Sequence, residues 1–598
     1  MKSGFIPGRA LAVAGAFALL LAGCQSAGTK NTANWSMQST KPAGELIIID
    51  ASDLLHQLPK DHTISDARTL GVDRVFNNLA ITVKTPANFT IPNYLKNVEI
   101  PESGEYYLYV RAIGSGNGAF RVRLNNKYVD GSFGEGEGAT FTRTGPHRLE
   151  KGQVPVLITR LTGTPSFDVF ALTKNANLTE DELFRYQFPQ EVKLVKEYNI
   201  PGASCVKFGD ITGDGKTDIL ALTSDYSSIV VDHDGNELWR WTAPEERQRL
   251  RAEFEAPGAV WDLDRDGKAE VIQWREFDGQ EWLVVADGMT GEIKHKTPWP
   301  TVSHPHVYNN FRIAIGRLSG DYPQHIIVYT DCGARQHQSI TAYTADLQQV
   351  WEHKEVRLKD HLGHYVYPRD FKGTGYDQVL CGYIMLDSDG TQIWNLQDDI
   401  YDNHDHADSW KFADLDGDGK EELVLAACDL GAVVMDPADG SIIWQYPVAH
   451  TQQIQVGNFL AGYDRPQVAA GARVYGDRRF EPYISGQVRW FDANGNFISQ
   501  WPAMPLNGNP DFAKGDFFGD GSEVLFWFKF IMQPDGTGVV AFPDQIYHAF
   551  DFTRNGATEA ITLANGKVSV WGYANVVDKA PNNDPDYIKA AMTNHTHY

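Results

Sequence analysis

An Asp-rich loop between two apolar runs recurs along the C-terminal two-thirds of the chain, and this recurrence restricts the fold more than any single motif. It reads FGDITGDGKTDILAL from Phe208, VWDLDRDGKAEVIQW from Val260 and FADLDGDGKEELVLA from Phe412. Degenerate copies lie at Arg317, Asp370, Asn458, Asp516 and Asp551, which makes eight. The first and last anchors, Asp210 and Asp551, are seven intervals apart, so the mean period is about 49 residues, the length of a four-stranded propeller blade. Asp-Gly or Asn-Gly turns lead into Trp strands at Asp234-Gly235, Asp389-Gly390, Asp439-Gly440 and Asn494-Gly495, as hairpins between outer strands would. A solenoid needs capped ends, whereas a ring closes on itself. The last copy offers three strands, and EVKLVKEYN at 191–199 resembles the missing outer one. The expectation is an all-β chain with an eight-bladed β-propeller over 191–580, closed by 191–199 and followed by a C-terminal tail at 581–598.

The loops have a direct chemical reading. Oxygen ligands at alternating positions, a Gly after the third and a carboxylate four residues beyond it can wrap a hard cation such as Ca²⁺. Asp210/Thr212/Asp214/Asp218, Asp262/Asp264/Asp266/Glu270 and Asp414/Asp416/Asp418/Glu422 have that spacing, and Asp551/Thr553/Asn555/Glu559 has a weaker form. The competing reading is that these side chains only satisfy turn amides. Either role is structural, because the loop recurs where no chemistry could recur.

Ahead of the repeat the texture changes. Lys2 and Arg9 precede an apolar run from Ala10 to Ala22, of signal-peptide length and too short to span a bilayer. Leu21-Ala22-Gly23-Cys24 resembles a bacterial lipobox, so residues 1–23 read as a lipoprotein signal, Cys24 as the lipidated residue and 24–44 as a polar tether. The expected location is the bacterial cell envelope, lipid-anchored at the outer membrane and facing the periplasm or the surface. Short β-rich runs between 45 and 175 indicate a β-sandwich, and GEYYLYVRAIGSGNGAFRVRLNNKYVDG resembles the middle strands of jelly-roll carbohydrate-binding modules. Thr179-x-x-Glu182 offers a capping box for a short helix in the linker at 176–190. The net charge of −24 argues against an electrostatic nucleic-acid binder. Five cysteines without CxxC spacing support neither a disulfide framework nor a zinc knuckle, and a monomer is expected.

The histidines cluster in the middle copies. His406 and His450 each lie eight residues before their anchors and His364 six before Asp370, so parity puts them on one face of an inner strand or its entrance. His304 and His306 precede the third copy with Tyr308 and Arg312 nearby, and His361, Tyr365 and Tyr367 flank His364. Neighbouring blades would direct these groups into one depression opposite the Asp loops. His404 and His406 with Asp408 also suit a transition metal, although spacing assigns no further ligand.

GHYVYPRDFKGTGYDQVLCGYIMLDSDG followed by HDHADSWKFADLDGDGKEELVLA resembles the rhamnogalacturonan lyases with an eight-bladed, calcium-binding propeller, and more distantly ulvan and rhamnose-glucuronate lyases. Copies three, four and six depart from the cation pattern at Arg317, Lys372 and Asn458. The resemblance implies a polysaccharide lyase acting on an anionic, rhamnose-containing uronic polysaccharide, with Ca²⁺ structural and also a candidate for the active site. β-Elimination needs positive charge on the uronate carboxylate, a base for the C5 proton and an acid for the departing O4. His364 and His406 suit proton transfer, Tyr365 or Tyr367 the acid, Arg335 or Arg473 the carboxylate, and His306 or His450 support. The competing readings are a non-catalytic glycan-binding propeller lipoprotein and a quinoprotein-like outer-membrane assembly scaffold.

Overall fold

The computed structural model describes residues 46–594, apart from 52, 55–62, 66–69, 77–79, 83–92, 117, 246–255, 301–311, 332–337, 356–362, 397–405, 429, 448–450, 473–486, 501–511 and 535–537. The signal segment, Cys24 and the tether lie outside these residues.

The first unit is a two-sheet sandwich. Its strands are β1 (Ile47–Asp50), β2 (Thr63–Ser65), β3 (Ala80–Thr82), β4 (Asn93–Ile100), β5 (Gly104–Ser115), β6 (Ala119–Leu124), β7 (Lys127–Tyr128), β8 (Glu137–Leu149), β9 (Gly152–Thr162) and β10 (Ser166–Thr173). One sheet runs β2-β3-β10-β5-β8 with β1 also on β10, and the other runs β4-β9-β6-β7. Alternate residues such as Phe120, Val122, Val156 and Ile158 meet Val110, Phe170 and Leu172 between the sheets.

The expected capping box forms: the Thr179 hydroxyl accepts from the Glu182 amide at 3.2 Å, and the Glu182 carboxylate accepts from the Thr179 amide at 2.8 Å. It starts α1 (Glu180–Gln187), which is docked rather than a free connector. Leu183 is buried against Val169 and Ala171, and the buried Arg111 guanidinium bonds both Asp168 and Glu180, so two carboxylates neutralise one cation. Phe188 then stacks on Phe530 of the propeller at 4.8 Å.

Eight four-stranded antiparallel sheets follow. Their inner strands are Ala203–Gly209, Gly258–Trp261, Arg312–Gly316, Tyr367–Arg369, Ser409–Ala413, Thr451–Gly457, Ala513–Gly515 and Ile546–Phe550, numbered here as blades one to eight. The ring closes as the repeat count requires, with Val192–Asn199 pairing antiparallel to Lys567–Tyr573 in the last blade. Outer-strand indoles bolt four blades to the next: Trp239 donates to Gly288, Trp351 to Ser388, Trp394 to Pro437 and Trp444 to Ala493. The receiving turns need glycine. A Cβ on Gly390 (φ +82°) would lie 2.6 Å from Trp351.

The C-terminal segment corrects the expectation of a tail at 581–598. Its described part includes α2 (Pro585–Ile588) and a π-helical turn (Lys589–Thr593), which packs in the central channel against the inner strands of blades one, two, three and eight. Inner strands present unpaired backbone groups to the channel, and these need partners. The Asn594 carboxamide accepts from the Ile315 amide at 2.9 Å and donates to its carbonyl at 2.8 Å, as a neighbouring strand residue would. Thr593 pairs in the same way with Val260, and the Lys589 ammonium meets the Asp377 carboxylate at 2.8 Å. His548 bonds the Ala591 carbonyl.

Candidate functional site

A parallel bridge between Gly363 and Ala407 joins the entrances of blades four and five and sets the geometry of the site. Glycine suits this approach, since a Cβ at 363 would lie 3.0 Å from both the Gly382 amide nitrogen and the Trp410 ring and force them to shift. The bridge brings His364 beside His406, with ring centroids 5.0 Å apart and nearly perpendicular. His364 Nε2 lies 3.2 Å and His406 Nε2 3.5 Å from the same oxygen, Oδ1 of Asp408. Asp408 is held by its amide, which donates to the Ala426 carbonyl.

The Asp408 carboxylate is fully buried, and neither of its oxygens accepts a hydrogen bond of proper geometry among the described residues. A buried carboxylate in that state requires a positive partner. Burial acts to raise its pKa, but the His406 and His364 imidazoles close to it outweigh burial and hold the group below the usual carboxylate range. Burial pushes His364 down to about 4, against the pull of Asp408 and with help from His406 and the Arg312 guanidinium. One ligand atom from each of His364, His406 and Asp408 lies within 4.8 Å of the others, a spacing that fits a metal ion. Asp408 is thus the partner that spacing alone did not assign to His364, although it stands two residues after His406.

The other expected residues distribute unevenly. Tyr365 is buried in the blade core, stacked on Trp410 at 4.3 Å, and its hydroxyl accepts from the Trp410 amide. Tyr367 is half-buried on Phe412 and lines, with Lys411, Lys514 and His548, a channel cavity of about 290 Å³. Arg335, Arg473, His306 and His450 lie outside the described residues. Sequence reasoning missed Lys207 and Lys411, whose positive charges both reach His548. Their signal is a shared offset, three residues before Asp210 and Asp414, in inner strands otherwise mostly apolar.

No family model matches the chain. It is 23% identical over 342 residues to the rhamnogalacturonan exolyase YesX of Bacillus subtilis, covering 44% of this chain and 53% of that protein. It is 22% identical over 426 residues to the rhamnogalacturonan endolyase YesW of the same organism, covering 63% of this chain and 60% of that protein. The chain is similar to the rhamnogalacturonan lyases. It spans only about half to three-fifths of the length of these curated relatives. A solved rhamnogalacturonan lyase of Bacillus licheniformis shares the fold, with a TM-score of 0.52 at 15% identity over 86% of this chain and 94% of that one.

The Asp loops of this rhamnogalacturonan-lyase-like propeller differ in their fitness for Ca²⁺. In each of the three best copies the first Asp wraps turn amides: Asp210 accepts from Gly213, Asp214 and Gly215, Asp262 from Asp266 and Gly267, and Asp414 from Gly417 and Gly419. The expectation of turn satisfaction and that of a cation cage therefore apply to the same side chains. In blade five, Asp414, Asp416 and Glu422 converge within 4.8 Å, a set that fits Ca²⁺, with Asp418 bonding the Lys420 amide beside them. In blade two, Asp262, Asp264 and Glu270 converge equally, but the Lys294 ammonium lies 2.9 Å from Asp264 and 2.5 Å from Glu270. It sits among the carboxylates as a bound cation would. In blade one, Lys216 and His233 approach Asp214, and Asp218 is taken up by the Thr212 and His233 amides. In blade eight, Asp551 accepts from the Asn555 and Gly556 amides, and Glu559 is bonded by Thr553 and the Phe552 amide.

Proposed function

We propose that the protein is an exported, lipid-anchored lyase that cleaves a rhamnose-containing uronic polysaccharide, of the rhamnogalacturonan or ulvan type, by β-elimination. The observation that carries this reading is the convergence of His364, His406 and Asp408 between blades four and five in a chain similar to rhamnogalacturonan lyases. Two imidazole nitrogens and a carboxylate oxygen suit a borderline divalent transition ion, whereas Ca²⁺ takes oxygen ligands. Bound there, such a transition ion would supply charge that neutralises the uronate carboxylate and acidifies the C5 proton.

The chain's own groups do the rest. Asp408 orients both imidazoles. His364, 3% exposed, is enclosed and holds position, whereas His406, the more exposed ring, is the base that takes the C5 proton when no ion holds its nitrogen. Tyr365 is 5% exposed and stacked on Trp410, so the half-buried Tyr367 at the cavity is the phenol for the departing O4. Lys207 and Lys411 give the channel a positive potential inside a chain of net charge −24, as an anionic substrate requires. Anchoring rests on the lipobox-like Leu21-Ala22-Gly23-Cys24; among the described residues no helix is long and apolar enough to cross a membrane.

The test is incubation with rhamnogalacturonan, ulvan and polygalacturonate while following the ultraviolet absorbance of the unsaturated uronate. Unsaturated ends should appear with one of the rhamnose-containing chains. Release of saturated sugars only, or binding without cleavage across the panel, would overturn the reading.

A further inference from the structure

The sandwich has a second surface with its own chemistry. The hairpin between β6 and β7 turns on Asn125 and Asn126, both at positive φ (50° and 64°), the conformation of a tight type I′ turn. It sets Tyr128 directly opposite Arg123. The register then continues a single row of outward side chains across the four-stranded sheet, Leu95, Leu157, Arg123 and Tyr128, with Arg121 and Thr159 in the next row. At the usual strand spacing that row is about 14 Å long.

Three properties distinguish this face from an ordinary solvated one. The Tyr128 ring is 49% exposed and Leu95 44% exposed. The Arg123 and Arg121 guanidinium carbons lie 4.4 and 5.4 Å from the Tyr128 ring centroid. Neither guanidinium forms an ion pair among the described residues, although the chain carries 77 acidic side chains against 53 basic ones. The acidic group on this face, Glu99, stands four residues from Leu95 along β4 and is engaged by Gln153.

We propose that the outer face of the β4-β9-β6-β7 sheet binds a segment of acidic polysaccharide, with Tyr128 stacking on a sugar ring and Arg121 and Arg123 taking uronate carboxylates; this rests on the reading of the protein as acting on such a chain. The apolar C–H face of a pyranose packs on an aromatic ring, and a guanidinium forks onto a carboxylate in two parallel bonds that an ammonium does not reproduce. Charge complementarity selects an anionic over a neutral glycan. The face lies on the sandwich, apart from the propeller site, so it would hold substrate close without entering the chemistry.

The test is affinity electrophoresis of the full chain through gels containing polygalacturonate, with dextran as the neutral control. Wild type should be retarded by polygalacturonate alone. Arg121→Glu/Arg123→Glu and Tyr128→Ala should each weaken the apparent Kd at least about tenfold, the equivalent of about 1.4 kcal/mol. Tyr128→Phe should bind like wild type, because stacking needs the ring and not the hydroxyl. Tyr128 and Arg121 are exposed and Arg123 is half-buried at the sheet surface, so melting temperature should change little. Equal retardation of wild type and the Arg121→Glu/Arg123→Glu variant overturns the proposal, as does binding of this face to anionic phospholipid vesicles in preference to polygalacturonate. Product absorbance on rhamnogalacturonan is read separately. Loss of that signal with Arg-dependent retardation preserved would sink the lyase reading and leave this one standing.

Discussion

Lys589→Met tests whether the C-terminal segment is an integral plug of the propeller. The ammonium lies 2.8 Å from the Asp377 carboxylate, with the two side chains 4% and 2% exposed. Removing one partner of a buried pair costs about 3–5 kcal/mol, chiefly because the other charge is left uncompensated. Asp377 retains the Arg317 amide at 2.7 Å, which places the cost at the low end, about 3 kcal/mol. The plug can leave the channel without the blades unfolding, so the penalty falls on its release, whose equilibrium should rise about 10²-fold. The Ile315 and Val260 amides donate to Asn594 and Thr593, and their hydrogen exchange reads that release. Both should exchange about 10² times faster in the variant while outer-strand amides stay protected. Lys589→Met/Asp377→Asn leaves no buried charge and should return exchange to within about tenfold of wild type. Unchanged exchange at Ile315 and Val260 in the single variant would refute the reasoning.

Three other outcomes are expected. His364→Ala, His406→Ala and Asp408→Asn should each lower lyase turnover by at least about 10²-fold, with calcium dependence of the melting temperature retained; full activity in any two would remove the cluster from the chemistry. Chelation should lower the melting temperature of wild type and less that of Asp416→Ala, whereas Lys294→Met should make blade two newly responsive, destabilised without Ca²⁺ and rescued by it, because Asp264 and Glu270 then lack their ammonium beside Asp262; a Lys294→Met melting curve indifferent to Ca²⁺ would show that blade two holds no cage. Burial lowers His548 from 6.5 to about 4, so between these pH values the unfolded chain binds a proton that the folded one refuses. The stability associated with this group is complete above about pH 6.5 and is lost on acidification, by about 3 kcal/mol in all; pH-dependent denaturation of His548→Gln should lack that component, and an identical profile would count against it.

The propeller was legible in the sequence because its defining contacts are local. An Asp that binds amides three to five residues ahead, as Asp210 binds Gly213 and Gly215, writes itself into the chain as a fixed spacing. The same holds for the Thr179 cap and the Asn-Gly hairpins. Ring closure by 191–199 could be read from a missing strand, although its partner lies in the last blade. Parity alone put His364 and His406 on comparable faces.

Only tertiary structure decided what those faces meet. The Gly363–Ala407 bridge directs two imidazoles onto one buried oxygen of Asp408, and no spacing encodes an angle between adjacent blades. Lys294 sits 24 residues beyond Glu270, so a pattern that marks a cation loop cannot report that an ammonium lies within it. Lys589 and Asp377 are 212 residues apart, and the polar segment that reads as a tail becomes a plug because edge backbone groups in the channel need partners. Local geometry leaves a periodic trace in sequence; the meeting of distant charges depends on how the ring closes.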